Sequence, residues 1–353
     1  MIVDDILERT IIDLYDKYRF DKNLLERVYA KVLVMMDLLH NDGKLMSAAI
    51  VVACTLVGVP ITLEMFPNLD PKHFVTIAKI LWSPQTFDPY RGFTRGKILG
   101  RSNSTVFEAT FADDATDTTY AVKAFESTPN GFPLEFLVEI ITLKAVGGNP
   151  YTCNVIGAFL VDTQCCIIMQ HYQMTLAEFS SCVALTTDYM QQTTTQLMLA
   201  VEAAHEHLAH RDIKPQNIMV KSIDEIALCD WDSSTVSQSP SKTNPVCTLP
   251  YRAPELLLHG QESCYYDSRK LDVWSAGCVL LSMLNKGKAW YNGRHEEEVL
   301  QKIIDNQNKW PTDDERIIKL LRGMLHINPD KRYTASQCLA YLDNISFRGD
   351  DVH

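Results

Sequence analysis

Three short segments in fixed order constrain this chain more than any other feature. His210-Arg211-Asp212-Ile213-Lys214-Pro215-Gln216-Asn217 sets a carboxylate, an ammonium and a carboxamide within one short stretch. Asp230 follows thirteen residues after Asn217, with Trp231-Asp232 behind it, and Ala253-Pro254-Glu255 comes further on. A carboxylate that can take a hydroxyl proton, a cation for a moving phosphate and two oxygen donors for Mg²⁺ are what phosphoryl transfer needs. Chance supplies one such piece easily. Three in this order demand a fold that brings distant loops together.

Composition narrows the rest. A hydrophobic content of 46% and a charged content of 22% over 353 residues describe a globular chain. The net charge of -11 argues against nucleic-acid binding, which needs basic faces. Met1-Ile2-Val3-Asp4-Asp5 lacks the basic start of a signal peptide. Residues Leu45 to Leu63 carry no charge and approach the roughly 20 residues of a membrane span, but Gly58-Val59-Pro60 interrupts them. A buried core helix is expected there, and no membrane. The ten cysteines form no C-x-x-C pair, so reduced thiols are expected rather than disulfides or zinc, in an intracellular setting, cytoplasmic or nuclear.

Residues 1–82 read as all-helical. Ile2, Ile6, Leu7, Ile11, Leu14 and Tyr18 recur at helical spacing, as do Leu24, Leu25, Val28, Val32, Met35, Met36 and Leu39. Leu45 to Val57 is apolar on nearly every face and predicts a central helix wrapped by the others. Asp70-Pro71 opens a last helix to Leu81. The run Leu45-Met46-Ser47-Ala48-Ala49-Ile50-Val51-Val52-Ala53-Cys54, followed by Gly58-Val59-Pro60, resembles the third helix of a cyclin box and of transcription factor IIB repeats. Thr55 stands where many cyclins carry a kinase-contacting Lys. An unrelated five-helix bundle is the alternative. Ser83-Pro84, Pro89 and Gly92 mark a linker over 83–92.

From residue 93 to 348 the chain resembles eukaryotic Ser/Thr protein kinases of the cyclin-dependent type. The resemblance implies an α+β bilobal fold with a β-rich N-lobe (93–170) and a helical C-lobe (173–348). It also implies ATP and Mg²⁺ as cofactors and proteins bearing Ser or Thr as substrates. Tyr120-Ala121-Val122-Lys123 matches the strand of the ATP-clamping Lys, so Lys123 would bind phosphates and pair with a carboxylate. In Gly131-Phe132-Pro133-Leu134-Glu135-Phe136-Leu137-Val138-Glu139-Ile140, which resembles the cyclin-contacting helix, that partner is Glu139, with Glu135 as the alternative. Leu99, Gly100, Val106 and Ala121 would line the nucleotide site. Met169 takes the gatekeeper position, the backbone of Gln170 and Tyr172 would meet adenine, and Thr175 falls near the ribose.

In the same way Asp212 becomes the base that accepts the hydroxyl proton, Lys214 the cation on the γ-phosphate, and Asn217 with Asp230 the Mg²⁺ ligands. His210 is expected to pack rather than react. Arg211 would hold the activation segment, ideally through a phosphate on Thr243, which is otherwise an ordinary loop threonine. Thr248 would hydrogen-bond near Asp212 and Lys214. Arg252 resembles the arginine that shapes a proline-accepting site after the target residue. Glu255 with Arg332 is expected as a buried bridge, and Asp272 as a brace for the Asp212 loop.

Departures from the pattern bear on activity. Of the glycines of the phosphate-covering hairpin only Gly100 remains, and the loop is one residue short. Trp231 replaces the usual Phe, as in casein kinase II, and Asp232 replaces the usual Gly. The insert expected after Trp290 is largely missing. A pseudokinase scaffold is therefore the rival from another class. The greasy face of the Glu139 helix leads to one further expectation: residues 1–82 hold that helix in cis, as a separate cyclin does. The alternative is that they dock other proteins.

Overall fold

The computed structural model describes residues 89–345, apart from 102–103, 127–135, 137–138, 141, 144–145, 162–163, 207, 237–246 and 260–265, together with Val32, Ala49 and Ile50. The expected cyclin-like bundle thus lies outside the described residues, except that Val32, Ala49 and Ile50 are helical and buried. The chain divides into two compact units. One comprises 1–144 with 154–171, the other 145–153 with 172–353.

The first unit is built on a five-stranded antiparallel sheet: β1 Phe93–Arg101, β2 Ser104–Phe111, β3 Tyr120–Phe125, β4 Val155–Val161 and β5 Gln164–Gln170, in the order β1-β2-β3-β5-β4. Alternation along the strands gives its two faces different tasks. Phe107, Phe111, Val122, Ala124, Phe159 and Ile168 belong to one buried cluster. There the Phe111 and Phe159 rings meet edge to face at 5.8 Å, a favoured aromatic geometry. The intervening residues Val106, Ala121, Lys123 and Met169 share the opposite face: Lys123 lies opposite Val106 and Ile167, and Ala121 opposite Met169. Strand β1 ends at Arg101 and β2 begins at Ser104. Pro89–Arg91, assigned to a linker by sequence, is a 3₁₀ turn tied down by Arg91–Asp113 at 2.8 Å and by the Ala112 N–H on Gly92 O. The vicinal thiols Cys165 and Cys166 are buried in β5, and burial pushes both up to about 12. All eight described cysteines are free thiols.

The second unit is helical. The helix Ser268–Leu284 is buried on almost every face and serves as its core post. Gly277 in this helix lets Leu325 approach, since a Cβ there would sit 2.8 Å from Leu325 Cδ2. The helices Thr187–His205, Glu315–Met324 and Ala335–Leu342 complete the core. Short strands carry the loops: β6 Met174–Thr175, β7 Leu208–Ala209, β8 Ile218–Ser222, β9 Glu225–Leu228 and β10 Thr235–Val236. The boundary expected at 170 is crossed by one segment. Residues 145–153 pack with the helical unit because Cys153 N–H donates to Leu228 O (2.9 Å) and Leu228 N–H to Tyr151 O (2.8 Å). Among the described residues, no helix is long and apolar enough to cross a membrane.

Candidate active site

The helical unit supplies the groups for proton and phosphate handling. Asp272, 1% exposed on the core post, spends both carboxylate oxygens on one loop. It accepts from His210 N (2.8 Å), Arg211 N (2.7 Å) and His205 Nε2 (2.9 Å). Charge-assisted bonds of this kind are the strong ones, and they hold Arg211 in a left-handed conformation at φ +65. His210 is buried, with Nε2 3.0 Å from Cys229 O and its ring 4.6 Å from the Trp231 ring. It is a packing residue.

Asp212 leaves this braced loop and meets only donors. Lys214 Nζ lies 2.7 Å and Asn217 Nδ2 3.2 Å from Oδ2, while Thr248 N and Oγ1 lie 2.9 and 2.8 Å from Oδ1. Lys214 Nζ also reaches Thr248 Oγ1 at 2.9 Å. Both carboxylate oxygens thus serve as acceptors.

Asn217 closes the 3₁₀ turn Pro215–Asn217, and its Nδ2 also donates to Asp212 O (2.9 Å). Committing the NH₂ inward turns Oδ1 the other way. Asp230 is exposed, at φ +64. The β8–β9 hairpin pairs Ile218 with Leu228, and Cys229 N–H donates to Asn217 O (2.8 Å), so Asn217 and Asp230 stand at the same end of one hairpin. Their oxygen donors suit Mg²⁺, a hard cation that keeps part of its water shell and takes few protein ligands. Among the described residues no group of three or more His, Cys, Asp or Glu could hold a metal. Trp231 is fully buried, whereas Asp232, which replaces the usual Gly, is exposed.

The sheet unit supplies a clamped cation. Lys123 Nζ lies 2.7 Å from Glu139 Oε2, with the side chains only 6% and 3% exposed. The helix carrying Glu139 packs through Phe136, whose ring meets Phe125 edge-on at 5.5 Å. Glu135, the other candidate partner, lies outside the described residues. Gly100 pairs with Val106 beside a register shift, and the strand before it is exposed, including Leu99. Met169 is half-buried. The Gln170 N–H donates to Asn154 O at 2.9 Å.

Tyr172 is buried in the helical unit. Thr175, expected near a ribose, is the N-cap of the helix Leu176–Cys182 in a reciprocal capping box with Glu178. Arg211 Nε donates to Ser233 O (2.6 Å), a backbone hold on the segment after Asp230. Thr243 lies outside the described residues. Arg332, with a fully buried side chain, makes a bidentate pair with Glu255 at 2.7 and 2.8 Å. Arg252 donates through Nε to Cys247 O (2.8 Å) and through Nη1 to Glu296 Oε1 (2.5 Å). Neither Cys247, at φ +68, nor Glu296 was singled out by sequence, since a left-handed non-glycine and an ion pair spanning 44 residues leave no local signal.

Residues 93–342 match the protein kinase domain family, and the chain belongs to it. That family transfers phosphate from ATP with the help of Mg²⁺. The chain is 33% identical over 216 residues to serine/threonine-protein kinase ppk23 of Schizosaccharomyces pombe, covering 58% of this chain and 52% of that protein. It is 28% identical over 257 residues to cyclin-dependent kinase 4 of Xenopus laevis, covering 61% and 78% respectively. With mitogen-activated protein kinase hog1 of Trichoderma harzianum it shares 30% identity over 190 residues, 44% of this chain and 52% of that protein. The chain thus spans about half the length of two of these three relatives. The family match begins at Phe93, so the cyclin-box resemblance of residues 1–82 gains no support from it.

Proposed function

We propose that the chain is an ATP-dependent Ser/Thr protein kinase of cyclin-dependent type that prefers proline after the target residue. The observation that carries the transfer reading is the Asp212 carboxylate, ringed by Lys214, Asn217 and Thr248. In this role Asp212 orients a Ser or Thr hydroxyl and accepts its proton, and Lys214 balances charge on the transferred phosphate. Lys123, fixed by Glu139, would hold the phosphates of ATP. Asn217 and Asp230 would hold Mg²⁺, which when bound neutralises phosphate charge.

The proline reading is supported by the backbone at Cys247. Its left-handed backbone (φ +68) turns the carbonyl onto Arg252, so the N–H of the residue after a substrate's target would find that acceptor already drawn to a cation rather than turned toward it. An unmet N–H is costly, and proline has none. A positional peptide array with the whole chain, MgATP and central Ser, Thr or Tyr checks both parts. Ser and Thr followed by Pro are expected to dominate; strong Tyr labelling, or indifference to Pro, contradicts the reading.

A finer reading is that residues 1–82 hold the Glu139 helix in cis. It is motivated by the cyclin-box resemblance and by the buried Phe136 and Ile140 on that helix. A short linker would give the two parts a high effective concentration. Removing residues 1–82 is expected to abolish transfer, and adding them back as a separate polypeptide to restore part of it. Full activity of the truncated chain would overturn this arrangement.

A further inference from the structure

Arg252 is held at two points, and only one of them is the Cys247 carbonyl. Its Nη1 is 2.5 Å from Glu296 Oε1, and the Arg252 side chain is 14% exposed. Glu296 is the first residue of the helix Glu296–Asp305, whose N-cap, His295, makes no side-chain capping bond. A carboxylate at this end of a helix is favoured by the macrodipole. The bulk of Arg252 therefore spans from one fixed anion to one backbone carbonyl. With the anion removed, the single bond to that carbonyl would have to hold a flexible stem whose remaining N–H donors are drawn toward water.

We propose that Glu296 is a positioning residue for substrate choice: by pinning Arg252 it keeps the Cys247 carbonyl occupied, and so sets the preference for proline at the position after the phosphorylated hydroxyl. The inference rests on the proline-directed reading above and adds a residue from a different helix to it. The mechanism is exclusion rather than attraction. The site gains nothing from proline; it denies an acceptor to every residue that brings an N–H, and specificity is the difference between the two. The same geometry assigns different roles to adjacent carboxylates. Glu298 bonds locally, accepting from Arg294 N (2.9 Å) and Lys302 Nζ (3.1 Å), and does not bear on Arg252.

The test compares kcat/KM for two peptide pools that differ only in Pro or Ala after a central Ser, using the whole chain. Glu296→Ala is expected to lower the Pro/Ala ratio about tenfold, the scale of one amide donor gaining its acceptor. The change should come mainly from a rise with the Ala pool, because the freed Cys247 carbonyl then accepts that N–H. Glu296→Gln keeps an oxygen acceptor for Nη1 and should retain most of the wild-type ratio. Glu297→Ala, a neighbour without this contact, should leave it unchanged. A merely structural role for Glu296 would lower both rates together, and that outcome, like an unchanged ratio in Glu296→Ala, overturns the inference. Absence of a proline preference in the wild-type chain is a different result: it overturns the proline reading on which the inference rests.

Discussion

Replacing Asp212 by Asn is expected to slow phosphate transfer by about 10²–10⁴-fold while leaving affinity for the nucleotide nearly unchanged. The reason lies in the ring of partners. Lys214 Nζ, Asn217 Nδ2, Thr248 N and Thr248 Oγ1 all direct donors at the two Asp212 oxygens. A carboxamide has one acceptor and one donor group, so either orientation sets its NH₂ against a donor. The substitution removes the proton acceptor and disturbs Lys214 and Thr248 together. Lys123 and Glu139 sit in the other compact unit and keep their 2.7 Å pair. Turnover measured with labelled ATP, beside calorimetric titration of the nucleotide, separates the two effects. Loss of nucleotide binding in this variant would point to a collapsed loop instead of a missing base.

The largest effect on stability is expected at Glu255. Its carboxylate is the bidentate partner of Arg332, whose side chain is fully buried and whose guanidinium also donates to His326 O (3.0 Å) and lies 5.0 Å above the Trp274 ring. Removing one member of a buried pair strands the other charge away from water, which costs about 3–5 kcal/mol. Glu255→Ala should therefore lower the unfolding free energy by about that amount in a denaturant titration. The double variant Glu255→Ala with Arg332→Met should recover part of it, because no charge is then stranded. A cost below about 1 kcal/mol would mean that the pair behaves as an exposed surface bridge.

Parts of the site were legible because their chemistry is local. Asp212, Lys214 and Asn217 lie within six residues, and a loop with that spacing has few ways to fold around one carboxylate. The alternation in β3 likewise announces its two faces: Ala121 and Lys123 toward one, Val122 and Ala124 toward the other. Thr175 also carries a purely local signal. Thr175-Leu176-Ala177-Glu178 is a capping-box pattern readable within four residues, and the structure builds it. Other features carry no sequence signal. The two hydrogen bonds that draw residues 145–153 to β9 are backbone bonds, indifferent to side-chain identity. The left-handed Cys247 violates a propensity that favours glycine, so composition predicts the opposite. Arg252 with Glu296, and Asp272 with His205, join positions 44 and 67 residues apart through tertiary packing alone.

The claim on which the account turns is that this chain, with its shortened glycine-poor hairpin and Asp232 behind Asp230, still moves phosphate. Incubating the whole protein with γ-³²P-ATP and a Ser-Pro peptide, with Mg²⁺ and then with the metal chelated, measures this directly. The account predicts phosphoserine that depends on Mg²⁺ and disappears in Asp212→Asn. Nucleotide bound in the presence of Mg²⁺ with no label on the peptide would contradict it and leave a scaffold in place of an enzyme.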